Sequence, residues 1–303
     1  MPEAVIDLGT NSALLLVGDI ENGKIREIDQ QVLTVRLGQD LVSTGEIQPE
    51  AVKRCMHAVL TLMEKAGKLG VRSTQIVGTH VFRAARNGQS VARQIQRATG
   101  CPVEILSERE EALRSFLGAT WGRGFEETFL LTDIGGGSTE LILGSERAVE
   151  NVWSLPLGAV TLTERYAIRS PLTDADKEKL EEEIKTSLSA LPNMKTPSSF
   201  VAVGGTATTL AALALNLDRY DAQQVDGHRL SHLQVNRLYN TLSAATLEEK
   251  RNRLAFYPDR ADIIVAGTAI LSMMMHLFSL PFVTVSDRGL RHGILLRNAI
   301  EMK

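Results

Sequence analysis

The sequence of 303 residues predicts an α/β protein built from two related halves, and three observations carry that prediction. One hexapeptide pattern occurs twice, as Asp7-Leu8-Gly9-Thr10-Asn11-Ser12 and as Asp133-Ile134-Gly135-Gly136-Gly137-Ser138, with aspartate, glycine and serine each displaced by 126 positions (133 minus 7, 135 minus 9, 138 minus 12). Each copy follows a short apolar run, Ala4-Val5-Ile6 or Phe129-Leu130-Leu131-Thr132, and precedes another uncharged one, which reads as strand, tight turn, strand. Beyond each hairpin and a third strand, the pattern changes to alternating helices and strands.

In the first half, strands are expected at Ala4 to Asp7, Ser12 to Asp19 and Ile25 to Val35, with Asn22-Gly23 as the turn of the second hairpin. Pro49 opens an amphipathic helix through Leu69, in which Val52, Met56, Val59, Leu60 and Met63 fall near helical spacing. A strand at Gln75 to Gly78, a helix at Ser90 to Thr99, a strand at Val103 to Leu106 and a helix at Glu108 to Ala119 complete this half. In the second half, Phe129 to Asp133, Thr139 to Gly144 and Ala148 to Ser154 repeat the meander. Helices follow around Ala159 to Tyr166 and Asp174 to Leu191, and the strand Phe200 to Val203 runs into Gly204-Gly205-Thr206-Ala207-Thr208-Thr209 at the head of an Ala/Leu-rich helix. Three strands followed by alternating helices and strands is the layout of a ribonuclease-H-like half. The expected domains are therefore residues 1–125 and 126–303, with a cleft between them.

Residues 263–286 contain no Asp, Glu, Lys or Arg over 24 positions, about the length that crosses a bilayer. Pro281 and the small polar residues argue for a buried helix from Asp259 to Leu280 and a buried strand at Phe282 to Val285 instead. A hydrophobic content of 44% with 23% charged residues excludes a disordered chain, and a net charge of −3 gives no general attraction to nucleic acid. No signal sequence precedes the first strand, and Cys55 and Cys101 form no ligand or redox motif. These features lead to the expectation of a cytoplasmic protein with neither nucleic-acid nor membrane partners.

The repeated turn carries the chemistry. Glycine lets backbone N–H groups approach an anion, serine or threonine adds a hydroxyl, and aspartate can hold a hydrated divalent cation that bridges phosphate oxygens. The Gly204-Gly205-Thr206 turn at a helix N-terminus suits an oxyanion for the same reason. Phosphoryl transfer or hydrolysis is the reaction class expected.

Asp7 to Ser12, Asp133 to Leu141 (DIGGGSTEL), Ser154 to Gly158 (SLPLG), Gly204 to Thr206 and Ser286 to Gly293 (SDRGLRHG), in this order, resemble the exopolyphosphatase and guanosine pentaphosphate phosphohydrolase (Ppx/GppA) family. That family belongs to the actin, Hsp70 and sugar-kinase superfold, so the resemblance implies two actin-like ATPase domains. The stretch from Thr79 to Asn87 resembles the family's threonine-x-x-x-arginine-x-alanine-x-asparagine segment, and Leu106 to Ala112 its segment with a catalytic glutamate pair. The similarity covers essentially the whole chain and is to the short, two-domain members.

What the resemblance implies is a Mg²⁺-dependent exopolyphosphatase acting on the terminal phosphate of inorganic polyphosphate, with the 5′ γ-phosphate of guanosine pentaphosphate as a further substrate. Glu110 becomes the candidate general base and Arg83 the group that stabilises charge on the scissile phosphate. Asp133 and Glu140 would hold Mg²⁺, with Asp7 lining the opposite side of the cleft. Gly9, Thr10, Asn11, Ser12, Gly135, Gly136, Gly137, Ser138, Gly205 and Thr206 would form the phosphate cradle. The resemblance also admits a monovalent cation such as K⁺ and a homodimer.

Three residues depart from the family pattern: Glu108 where glycine is common, His80 where a small residue is usual, and His292 where glutamate often stands. His80 near neutral pH could add a donor beside Arg83. His228 and His232, four apart, have the spacing of metal ligands but no third partner in sight, and Arg288, Arg291 and Arg297 could guide a polyanion or form a solvated face. A kinase of the same superfold would need an acceptor site that the sequence does not reveal. A catalytically idle alarmone sensor would bind without releasing phosphate.

Overall fold

The computed structural model describes residues 1–21, 23–124, 127–145, 148–166, 168, 171–192 and 197–301. In chain order the elements are β1 (Glu3–Leu8), β2 (Ser12–Glu21), β3 (Lys24–Thr34), α1 (Leu41–Thr44), α2 (Pro49–Lys68), β4 (Ser73–Gly78), α3 (His80–Ala84), α4 (Gly88–Thr99), β5 (Val103–Ile105) and α5 (Glu108–Thr120). There follow β6 (Phe129–Ile134), β7 (Thr139–Ser145), β8 (Ala148–Leu155), α6 (Ala159–Arg165), α7 (Asp174–Ser189), β9 (Ser199–Val203), α8 (Gly204–Ala214) and α9 (Ala222–Val225). The chain continues through β10 (Arg229–Ser231), α10 (His232–Ala244), α11 (Leu247–Arg253), α12 (Ile264–Leu277), β11 (Phe282–Val285) and α13 (Leu290–Glu301). Two compact units result: Met1–Gly124 with Arg288–Lys303, and Phe125–Asp287.

The first unit has a five-stranded sheet in the order β3-β2-β1-β4-β5, with an antiparallel meander of β1 to β3 and with β4 and β5 parallel to β1. The second has the order β8-β7-β6-β9-β11-β10, again an antiparallel meander followed by parallel pairing, closed by an antiparallel edge strand. Each unit thus has the ribonuclease-H-like strand order. The meanders also share a register shift, between Val17 and Gly18 in one and Leu143 and Gly144 in the other. Those positions are again 126 apart (143 minus 17). Of the expected Asn22-Gly23 turn, Asn22 lies outside the described residues, while Gly23 has φ 75°.

Alternation along β1 and β2 explains why both strands are apolar throughout. Ile6, Leu8 and Leu15 face Cys55, Val59 and Leu62 of α2, whereas Val5 and Leu16 face the other way, toward Leu290, Ile294 and Leu295 of α13. This second face corrects the expected domain assignment. Residues 288 onward, given to the second domain by the sequence reading, complete the first unit, because α13 supplies the apolar cover for that face. It lies so close to α5 that a Cβ on Gly118 would come 2.0 Å from Gly289 O, and one on Gly293 would come 1.8 Å from Arg114 O.

In the second unit α12 is buried almost all round, with Val265, Ala269, Ile270 and Met274 among its core residues. The expected helix from Asp259 starts later, because Pro258–Arg260 forms a separate 3₁₀ turn. No helix among the described residues is long and apolar enough to cross a membrane. The short helices α1, α3 and α9, strand β10 and helix α11 go beyond the sequence expectations, while α10 begins at His232, where a helix start is expected around His228 and His232.

Candidate functional site

The two hairpins close in the same way. Gly9 N–H donates to Ser12 O at 3.0 Å, and Gly135 N–H donates to Ser138 O at 3.0 Å. Asp7 lies one residue before the end of β1 at 8% exposure, and Thr10, Asn11 and Ser12 of the turn are also buried. Across the hairpin Asp7 faces Leu14, whereas Asp133 faces Glu140. Directly opposed residues put their side chains on one face of the sheet, so only the second hairpin pairs two carboxylates.

Glu140 is 2% exposed and accepts hydrogen bonds from Ser138 Oγ (2.8 Å) and Ser154 Oγ (2.9 Å). Ser138, expected as a phosphate donor, therefore spends its hydroxyl proton on orienting Glu140. Gly204 has φ 86°, and a Cβ there would lie 2.7 Å from Asp133 Oδ1. Glycine is needed both for that conformation and for the carboxylate's position. Among the described residues no three His, Cys, Asp or Glu side chains converge. Asp133 and Glu140 fit Mg²⁺, which typically takes one or two protein carboxylates and completes its octahedron with water and phosphate oxygens.

Gly205 opens α8, and a Cβ on it would lie 1.8 Å from Arg260 Nη2 and 2.1 Å from Cζ, so the Arg260 guanidinium rests against this turn. Thr206 is 2% exposed, and its hydroxyl would lie 2.4 Å from a Cβ on Gly267 of α12. The expected hydroxyl donor thus packs against α12. Arg260 is the residue that the sequence reading missed. Its signal is a lone cation in the turn that opens a helix without Asp, Glu, Lys or Arg.

In the first unit, Arg83 on α3 donates from Nη1 to Leu106 O (2.7 Å) and to Glu111 Oε2 (2.7 Å). Its Nε and Nη2 are buried with no hydrogen-bond partner among the described residues. Those two atoms form one edge of the guanidinium, the fork that takes two oxygens of a carboxylate or phosphate.

Glu110 and Glu111 are neighbours on α5, about 100° apart around the helix axis, and only Glu111 bonds Arg83. Glu110 is the third residue of a capping box: Oε2 accepts from Ser107 N–H (2.9 Å) and Ser107 Oγ (2.7 Å), while Glu110 N–H donates to Ser107 Oγ (3.3 Å). Its other oxygen lies 4.0 Å from Arg114 Nη2. The Ser107 bonds, then the Arg114 and Arg297 charges, hold its carboxyl below the ordinary value. Of the two glutamates, Glu111 therefore faces Arg83, whereas Glu110 faces Ser107 and Arg114.

His80 departs from expectation too. Burial, reinforced by the Arg83 charge, pushes it down to about 4, so it is neutral near pH 7. His292 is 1% exposed; its Nε2 lies 3.3 Å from Glu27 Oε1 and its Nδ1 accepts from Gly289 N–H at 3.3 Å. Arg288 lies 3.6 Å from Glu27, and Arg291 donates to Leu15 O (2.7 Å) and Gln30 Oε1 (3.3 Å). These two arginines fasten α13 to its own sheet, leaving Arg297 as the exposed one. His232 stacks at 6.0 Å on His276, outside any metal cluster among the described residues.

A family model described as the Ppx/GppA phosphatase family matches residues 16–301. The chain belongs to that family. Exopolyphosphatase 2 of Mycobacterium tuberculosis is 29% identical over 311 residues, 97% of each chain. The guanosine-5′-triphosphate,3′-diphosphate pyrophosphatase of Vibrio vulnificus is 28% identical over 99% of this Ppx/GppA chain, which spans 60% of that relative. It spans 46% of a bifunctional 3-dehydroquinate synthase/phosphatase of Fusobacterium nucleatum, at 28% identity. The crystal structure of an exopolyphosphatase from Cytophaga hutchinsonii matches at a TM-score of 0.92, with 26% identity, covering 100% of this chain and 99% of that one.

Proposed function

We propose that this protein is a Mg²⁺-dependent exopolyphosphatase that removes the terminal phosphate of inorganic polyphosphate by attack of water, and that guanosine pentaphosphate, through its 5′ γ-phosphate, is a second substrate. The observation that carries this reading is the Arg83–Glu111 pair, a carboxylate beside a guanidinium whose Nε and Nη2 are buried with no hydrogen-bond partner among the described residues. The relatives named exopolyphosphatase 2 and guanosine-5′-triphosphate,3′-diphosphate pyrophosphatase support the substrate class.

In this reading Arg83 Nε and Nη2 take two oxygens of the terminal phosphate, and Glu111 accepts the proton of the attacking water. The new oxygen–phosphorus bond forms in line with the bridging bond that breaks, and the shortened chain departs with the bridging oxygen. The N–H groups of the hairpin in each unit carry phosphate oxygens, and Arg260 adds a cation at the Gly205 turn. Asp133 and Glu140 would hold Mg²⁺, with Asp7 lining the first hairpin, and the bound ion would supply charge neutralisation at the phosphate.

The test is orthophosphate release from long-chain polyphosphate and from guanosine pentaphosphate by wild type, Glu111→Gln and Glu110→Gln. Glu111→Gln should lower kcat by at least ~10²-fold, the lower range for general-base catalysis, while Glu110→Gln stays within about threefold. A wild type that binds both compounds and releases nothing would overturn the hydrolase. Loss confined to Glu110→Gln would return the base role to Glu110.

A further inference from the structure

Each phosphate hairpin is held from behind by the segment that follows the third strand of its own meander. In the first unit Gly38 N–H donates to Thr10 O (2.8 Å), while Val35 and Arg36 N–H both donate to Asn11 O (2.9 and 2.8 Å). In the second, Ala159 N–H donates to Gly135 O (2.9 Å), and Val160 and Thr161 N–H donate to Gly136 O (2.8 and 3.1 Å). A trans peptide points its N–H opposite its C=O. Binding the carbonyls on one side therefore turns the following N–H groups, those of Asn11 and of Gly136 and Gly137, toward the other.

The first unit adds a further device. Val35 N–H to Asn11 O is one half of an antiparallel hydrogen-bonded pair, in which the return bond would run from Asn11 N–H to Val35 O. That return bond is missing from the backbone bonds of the described residues. Val35 O instead accepts from Arg54 Nε at 2.9 Å, and Arg54 Nη2 donates to Arg36 O (3.3 Å) and Gln39 Oε1 (2.9 Å). Arg54 is an exposed residue of α2. The return bond is missing because Asn11 N–H faces the other side of the hairpin, and the guanidinium supplies the donor that Val35 O would otherwise lack. It also secures the backbone of Arg36, held at φ 48°, a conformation costly for a side chain-bearing residue. Gly38 completes the fit, because a Cβ there would lie 2.3 Å from Thr10 Cγ2.

We propose that Arg54 is a positioning residue for phosphate binding: by bonding Val35 O and Arg36 O it holds the 35–38 segment, whose N–H groups bind the Thr10 and Asn11 carbonyls, against the hairpin. The proposal rests on the reading of this hairpin as a phosphate loop, and it concerns binding rather than the proton transfer at Glu111.

The experiment compares wild type, Arg54→Met and Arg54→Lys in calorimetric titration with inorganic tripolyphosphate, in orthophosphate release from polyphosphate, and in thermal unfolding. Arg54→Met should raise the tripolyphosphate Kd and the polyphosphate KM by about tenfold, the scale of one lost charge-assisted hydrogen bond, with kcat within about threefold. Arg54→Lys, which can still reach one carbonyl, should fall between. Arg54→Met with Kd and KM within about twofold of wild type overturns the role of Arg54 alone. So does a loss that lies wholly in kcat or that tracks the unfolded fraction. A wild type that neither binds tripolyphosphate nor releases phosphate defeats the phosphate loop itself.

Discussion

Gly293→Ala tests how closely α13 is seated on α5. A methyl at residue 293 would lie 1.8 Å from Arg114 O, 2.7 Å from its carbonyl carbon and 3.1 Å from its Cα, all backbone atoms with no rotamer to escape into. Real Cβ contacts essentially never fall below 3.0 Å, so the two helices must part by at least 1.2 Å (3.0 minus 1.8). Overpacking of this kind costs ~1–3 kcal/mol. The same movement loosens Leu290, Ile294 and Leu295, each contributing ~1.5–3 kcal/mol when fully buried, and losing a third of that burial adds about 2 kcal/mol. The total is near 4 kcal/mol, which should lower the unfolding midpoint by about 10 °C. Gly67→Ala is the control of opposite sign. Nothing lies within 4 Å of its Cβ position in α2, so alanine should stabilise the helix by ~0.5–1 kcal/mol. Both variants are read by calorimetry and far-ultraviolet circular dichroism. A Gly293→Ala midpoint within about 2 °C of wild type would refute the packing argument.

Four other outcomes are expected. Gly204→Ala forces φ 86° on alanine and brings a methyl 2.7 Å from Asp133 Oδ1, so the Mg²⁺ concentration for half-maximal phosphate release should rise by ~10-fold or more; an unchanged Mg²⁺ titration would contradict it. Chelation of divalent cations should stop phosphate release and Mg²⁺ should restore it, as an activity assay with metal add-back will read. Ser107→Ala removes the α5 cap and should cost ~1 kcal/mol in urea unfolding, through loss of the cap to both Glu110 N–H and its carboxylate. His80 stays neutral in the fold down to about pH 4, whereas the unfolded chain takes its proton near 6.5, so between those values the unfolded state binds more protons. Stability should therefore be full above 6.5 and fall as pH drops toward 4. His80→Gln should flatten that part of a pH series of denaturant midpoints.

The two meanders were legible because their turns need glycine and their strands need apolar runs, both local demands. The bulges at Gly18 and Gly144 obey the same displacement of 126 and could have been added to the repeat. The Ser231-x-x-Gln234 capping box fixes the start of α10 that is expected around His228 and His232, and Thr246-x-x-Glu249 marks α11 by the same pattern. The same signal, Ser107-x-x-Glu110, places Glu110 at the third position of the α5 capping box. Sequence spacing cannot tell which of two adjacent glutamates faces an arginine 28 positions away, since that depends on how α3 and α5 dock. Nor does any local pattern reveal that α13 belongs with β1 and β2. Its apolar stripe would suit either sheet, and the choice is made by glycine-to-backbone contacts far apart in the chain.

That placement of α13 bears on the order of events during synthesis. All of Phe125–Asp287 leaves the ribosome before the helix that covers Val5, Leu16, Val77 and Leu106. The usual vectorial rule, in which the N-terminal part of a chain folds first, is therefore reversed for completion. The later-made unit can finish from contiguous residues while the earlier-made one waits with an apolar sheet face uncovered, a natural client for a holding chaperone until residues 290–301 emerge.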